Sequence, residues 1–133
     1  MSNKWNFKIE LKDENVFTEL EEYYGLPLPE DLKSFILEAN ASNPEKNLIM
    51  INGVERVFET VLSYNELETE AISVFDILNK DKCDYAIPFG TDPFGNLFYC
   101  SLVDNKVIFY NHEESLFEET CYSFKEFIDS LYM

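Results

Sequence analysis

The sequence predicts an α+β fold, an antiparallel β-meander packed with about four helices, as a single domain over residues 1–133. Three observations lead there. Two hairpin signals, Asn52-Gly53 and Asp92-Pro93-Phe94-Gly95-Asn96, stand in the middle of the chain. Apolar stripes at helical spacing lie before, between and after them. A length of 133 residues suits one domain, with enough buried surface for a core that needs no staples.

The first helix is expected from about Asp13 to Tyr24. Val16, Phe17, Leu20 and Tyr24 form its stripe, and Gly25 is a natural left-handed stop. The second opens at Pro29, a favoured first helical position. Glu30 and Asp31 then meet the positive end of its dipole, and Leu32, Phe35, Ile36 and Ala39 make the buried face. The third is expected over Glu70 to Asn79, on Ala71, Val74, Phe75 and Leu78. The fourth follows a capping box, Ser123-Phe124-Lys125-Glu126, with Tyr122 and Phe127 placed as a hydrophobic staple. The strands are expected at Leu48 to Ile51, Val54 to Tyr64, Ala86 to Thr91, Leu97 to Val103 and Lys106 to Asn111. Glu113, Glu114, Glu118 and Glu119 read as lying in a loop between the last strand and the last helix.

The chain is strongly acidic, with 26 Asp and Glu against 10 Lys and Arg and a net charge of −16. Leu, Ile, Val and Phe fill 42 of 133 positions, well above the roughly 20% of a disordered chain, so the acid belongs to a folded domain. Such a chain repels nucleic acid and anionic membranes and attracts basic partners. The acid is uneven. Residues 13–40 hold eight acids and one lysine and residues 111–133 hold six acids and one lysine, while residues 83–110 hold three acids and one lysine.

Met1 to Leu11 has no apolar run of the kind a signal peptide needs, and no stretch is long enough for a membrane span, so a cytoplasmic location is expected. The odd trio Cys83, Cys100 and Cys121 reads as reduced thiols rather than a disulfide framework or zinc site. Asn40-Ala41-Ser42 matches the glycosylation pattern, by chance in a chain without a secretion signal.

Little in the sequence points to catalysis. His112 is the only histidine, with neither a nucleophile nor metal-ligand spacing beside it. Carboxylate pairs such as Glu21-Glu22, Glu113-Glu114 and Glu118-Glu119 suit acid–base hydrolysis in principle. In so acidic a chain they also arise by chance, and sequence neighbours usually point apart. No catalytic residue, metal or cofactor is therefore expected. Two segments are candidates for contact with a partner. Asp92, Phe94 and Asn96 form either a tight structural turn or a functional loop. Glu113, Glu114, Glu118 and Glu119 form either a solvated surface or a negative patch for a basic protein.

The motifs also occur in a telling order. Leu20-Glu21-Glu22-Tyr23-Tyr24-Gly25 is followed by Leu28-Pro29-Glu30-Asp31-Leu32-Lys33-Ser34-Phe35. Further on come Ile87-Pro88-Phe89-Gly90-Thr91-Asp92-Pro93-Phe94-Gly95-Asn96, then Val107-Ile108-Phe109-Tyr110-Asn111-His112-Glu113, then the Ser123, Phe124 and Phe127 of the terminal helix. Together they resemble the SMI1/KNR4 family, also called the SUKH superfamily, over nearly the whole chain. Where that family usually continues with Asn-Gly-Gly and a proline, this chain reads Asn40-Ala41-Ser42-Asn43-Pro44. The resemblance implies a binding protein without catalytic residues. Many bacterial members are immunity proteins that neutralise a polymorphic toxin encoded beside them, often a nuclease. Fungal members act as regulatory interaction hubs. An immunity protein for a basic toxin is therefore the leading expectation. A regulatory scaffold binding endogenous proteins is the alternative, and a small hydrolase the outsider.

Overall fold

Local chemistry at the helix ends decides where each helix begins and stops. In the computed structural model, which describes residues 3–80 and 83–133, helix α1 runs Asn15–Tyr24 and buries Val16, Phe17 and Leu20. Gly25 ends it at φ 71°, its N–H donating to the Glu21 carbonyl at 2.8 Å. Helix α2, Glu30–Ala39, buries the expected stripe of Leu32, Phe35, Ile36 and Ala39. Pro29 stands just outside it as the N-cap, one place earlier than expected. Helix α3 is only Val74–Leu78, shorter than the expected Glu70–Asn79. Ser73 sets its start: the Ser73 hydroxyl accepts from the Asp76 amide and the Asp76 carboxylate from the Ser73 amide, each at 3.1 Å. Helix α4, Phe124–Asp129, follows the expected Ser123–Glu126 box, and the Tyr122 and Phe127 rings close the staple at 6.0 Å. Among the described residues no helix is long and apolar enough to cross a membrane.

The strands form an antiparallel arrangement with several departures from expectation, the smallest being that the strand expected over Leu97 to Val103 ends at Ser101. The Asn52-Gly53 turn has φ of 51° and 85°, as a type I′ hairpin needs, and joins β3 (Leu48–Ile51) to β4 (Val54–Val57). A short pair, β1 (Trp5–Asn6) with β2 (Asn43–Pro44), lies apart from it. The expected strand Val54–Tyr64 breaks after Val57, and its second piece, β5 (Thr60–Val61), joins a different sheet. Phe58 is the reason. Its ring turns into the core against Phe98, Phe127 and Phe89 at 5.2, 5.4 and 5.6 Å. A Cβ on Gly90 would stand 2.1 Å from that ring, so only glycine fits opposite it. The large sheet has the order β5-β6-β7-β8-β9, with β6 (Ala86–Thr91), β7 (Leu97–Ser101), β8 (Lys106–Asn111) and β9 (Leu116–Ser123). Strand β9 replaces most of the expected final loop, so Glu118 and Glu119 lie on an edge strand.

One face of this sheet, carrying Ile87, Phe89, Phe98, Cys100, Val107 and Phe109, meets the helices and the β3–β4 hairpin in the main core. The other face carries Ala86, Leu97, Tyr99 and Ile108 in a smaller cluster with Cys83.

A buried amide ties the layers together. Asn40 is fully buried at the end of α2. Its Oδ1 accepts from the Tyr64 amide at 2.7 Å, and its Nδ2 donates to the Ile9 carbonyl at 3.0 Å and the Ser63 hydroxyl at 3.4 Å. That burial also keeps it from any sugar transfer. Tyr64 is buried too and donates its hydroxyl to the Pro88 carbonyl at 2.8 Å, with its phenol pushed well above the usual range by burial. Asn40→Ala strands the buried Tyr64 amide and the Ile9 carbonyl together. We expect a loss of about 2–4 kcal/mol in chemical denaturation, with an unchanged slope.

The next residue, Ala41, sits at φ 61°, where glycine is favoured. The left-handed conformation costs a Cβ-bearing residue about 1–2 kcal/mol. The extra freedom of glycine in the unfolded chain offsets about 0.4–1 kcal/mol of that. Ala41→Gly should therefore stabilise the fold by about 0.5–1 kcal/mol, visible as a higher Tm.

Candidate functional site

The two segments expected to meet a partner converge at one end of the large sheet. In the turn between β6 and β7, the Asp92 carboxylate accepts from the amides of Phe94 and Asn96, both at 2.8 Å, and from the Asn96 side chain at 2.7 Å. Gly95 closes the turn at φ 89°. The side-chain carbonyl of Asn96 accepts from the His112 amide at 3.0 Å, which joins this turn to the one after β8. His112 Nε2 lies 2.8 Å from the Phe94 carbonyl, an acceptor that fixes the proton on that nitrogen. A Cβ on Gly95 would come within 3.1 Å of the same nitrogen. The only histidine thus works as a clasp between two turns.

This geometry reassigns part of the expected site. Asp92 and Asn96 are each only 5% exposed, with their polar atoms bonded inside the turn, whereas Phe94 is 70% exposed at its tip. The first two hold the third outward. Glu113 and Glu114 are exposed in the β8–β9 turn, where their amides donate to the Asn111 side chain at 3.2 and 3.4 Å. Glu118 and Glu119 pair across β8 with Phe109 and Ile108 and so point to opposite faces. Glu118 is half-buried on the main-core side, where the Arg56 guanidinium lies 4.6 Å from the Phe109 ring centre. Glu119 shares the second face with Phe117 and Tyr110. The four acids therefore do not form one patch: Glu113 and Glu114 stand on the β8–β9 turn, Glu119 on the second face and Glu118 on the main-core side.

That second face carries an aromatic row. Phe117 stacks 4.6 Å from Tyr110 and 5.5 Å from Tyr99, with Phe117 exposed and Tyr99 buried beneath. Where the row meets the His112 clasp, a cavity of about 660 Å³ opens, walled by Glu59, Ile72, Ile77, Leu97 and Tyr110. None of its lining residues is Lys or Arg. Glu59, Ile72 and Ile77 had no place in the sequence reading. They come from two separate segments, Glu59 before β5 and the other two in the run into and through α3, and meet only in the fold.

Among the described residues no three His, Cys, Asp or Glu are grouped to hold a metal ion. The Cys100 thiol lies in the core and donates to the Asn105 side chain at 3.3 Å, with burial pushing it up to about 12, so it stays protonated. The surface offers apolar contact area, carboxylates and fixed turns, which is binding chemistry.

Because the Asp92 carboxylate serves three donors, Asp92→Ala should cost about 2–3 kcal/mol in denaturant unfolding. It should also sharpen the exchange of the Phe94 and Asn96 amides with solvent, measured by hydrogen exchange.

The model of the SMI1/KNR4 family (SUKH-1) matches residues 12–130 of the 133-residue chain. A comparison with curated proteins gives no match. The family match takes in every element from α1 to α4 and leaves out only β1. Order of motifs, α+β architecture and near-complete coverage agree, and the chain belongs to the SMI1/KNR4 family (SUKH-1).

Proposed function

We propose that this chain is an immunity protein that binds a cognate toxin domain in the cytoplasm and blocks it stoichiometrically, without turnover. The observation that carries the reading is the second face of the large sheet. Phe117 is exposed there on the same face as Glu119, and the exposed Phe94, Glu113 and Glu114 stand on the two turns at one end of the sheet, on a chain of net charge −16. An aromatic centre with a charged rim is the anatomy of a protein interface rather than of a small-molecule site. The partner that fits is basic. A nuclease is the leading class, because its own substrate site must be positive to hold phosphate. An acidic protein seated there excludes substrate by occupying both the volume and the field.

Charge acts mainly on encounter. Rim carboxylates steer a basic partner and raise the association rate, and salt screens them over a Debye length of about 8 Å at physiological strength. Phe94, Glu113, Glu114 and Glu119 are the proposed contact residues. Asp92 and Asn96 act through the turn, and Glu118 lies at the margin.

Coexpression with the toxic domain encoded beside this gene tests the reading. Growth should be restored, and the purified pair should form a one-to-one complex whose affinity falls with salt. Glu113→Gln with Glu114→Gln should slow association by about 3–10-fold and flatten its salt dependence, leaving dissociation nearly unchanged. Cells that still die, or the absence of a complex at low salt, would refute it.

A further inference from the structure

The cavity beside His112 does not end at the sheet. A second hollow of about 300 Å³ shares Glu59, Ile72 and Thr91 with it and continues to Phe7 and Glu70. Together they make one trough. The two most exposed phenylalanines of the described chain mark its ends, Phe7 at 84% and Phe94, on the turn whose Pro93 and Gly95 line the other end.

Phe7 is unusual twice over. It sits at φ 62°, a conformation costly for an aromatic residue, and exposes its ring to water. The backbone is clamped on both sides of it. The Glu45 amide donates to the Lys4 carbonyl at 2.8 Å, and the Ile9 amide to the Asn40 carbonyl at 3.0 Å. The opposite wall is fastened as firmly. Ser63 donates its amide to the Ile72 carbonyl at 2.9 Å and accepts the Val74 amide on its own carbonyl at 2.8 Å. Its hydroxyl donates to Glu68 Oε1 at 2.7 Å, which holds that carboxyl below its usual range. The trough is therefore preformed, and a ligand meets little ordering cost in its walls.

Its charge has one sign. Glu59 and Glu70 are exposed along it and make no ion pair with any described residue, and none of the residues lining either hollow is Lys or Arg. Ile72 is exposed between them. We propose that the trough from Phe7 to Phe94 receives an extended segment of the toxin, with a Lys or Arg side chain set between Glu59 and Glu70 and apolar neighbours against Ile72 and Phe7. This rests on the immunity reading above and names the partner's docking element. A second copy of this chain is a poor occupant, since each copy carries −16.

Two measurements test it. In the first, the full chain is titrated by NMR with a capped pentapeptide holding one lysine between two isoleucines, and with its glutamate counterpart. The lysine peptide should give saturable shifts at Phe7, Thr60, Ile72 and Thr91, and the glutamate peptide should bind about tenfold or more weakly. No saturable shift at millimolar peptide, or shifts confined to Phe117 and Glu119, overturns the proposal. In the second, the Glu59→Lys, Glu70→Lys double variant is set against a Glu22→Lys, Glu38→Lys control, which makes the same charge change on exposed positions of α1 and α2. The trough variant should lose toxin affinity by about tenfold or more while the control stays within about threefold, both with unaltered melting curves. A trough variant that still protects and binds within about threefold sinks the trough and leaves the immunity reading standing. A chain that takes the lysine peptide in the trough yet never protects against the toxin sinks the immunity reading alone.

Discussion

The side chain of Asn40 is the constraint on which the rest of the molecule leans. A fully buried primary amide is tolerable only when both of its ends are satisfied. Here its oxygen and nitrogen join three segments that share no sequence neighbourhood: the arm at Ile9, the end of α2, and the run at Ser63 and Tyr64. The arm in turn carries Phe7. Ser63 fastens the 65–73 segment, and Tyr64 reaches across to the Pro88 carbonyl of β6. One hydrogen-bonding residue thus fixes both walls of the trough relative to the sheet. Ala41 at positive φ is the local strain that accompanies this joint, since the chain must reverse immediately after Asn40 to enter β2.

The large sheet shows how such a molecule can be apolar and highly charged at once. Strand β7 is buried throughout, so its neighbours must supply covered surface on both faces. The helices and the β3–β4 hairpin cover the first face fully. The second is covered only in part and leaves Phe117 in water. The edge strand β9 carries the remaining liability, because an open edge invites pairing with another chain. Glu118 and Glu119 charge that edge, and the Asn52 side chain occupies the Glu119 carbonyl at 3.0 Å. Part of the acid that steers a partner in the proposed function therefore also guards the fold against self-association.

How much of this was legible depends on how local each cause is. Helices α1, α2 and α4 and both hairpins follow from signals inside a few residues: Gly25, the Leu32–Ala39 stripe, Ser123 with Glu126, and Asn52-Gly53. The start of α3 was equally local, but Ser73 and Asp76 make a capping box with Asp in the Glu position, and the longer apolar stripe masked it. Strand β9 escaped because Leu116-Phe117 and Glu118-Glu119 break the period-two alternation, as an exposed edge strand can. The break at Phe58 depends on a ring that fits only above Gly90, thirty-two positions away. Of the candidate site, the place of Phe94 in a tight turn was legible, and the structure exposes it at the tip. The fate of Asp92 and Asn96 was half legible, since Asp-Pro-x-Gly-Asn already describes a self-bonded turn. The His112 clasp was not, because the carbonyl it meets belongs to a residue eighteen positions earlier.

Charge and shape do different work in such a surface. A net −16 reaches beyond the molecule and speeds encounter with any basic protein, but salt weakens it and it distinguishes partners poorly. Selectivity requires contacts that a wrong partner leaves unpaired or strained. In the proposed function the clasped turn at Phe94 and the strained, clamped Phe7 would be such contacts, because neither can relax toward a poorly fitting surface. In the proposed function, related chains can therefore keep the same acidic coat and still recognise different toxins. The difference would lie in which side chains stand at the two ends of the trough, held by turns whose backbone chemistry stays the same.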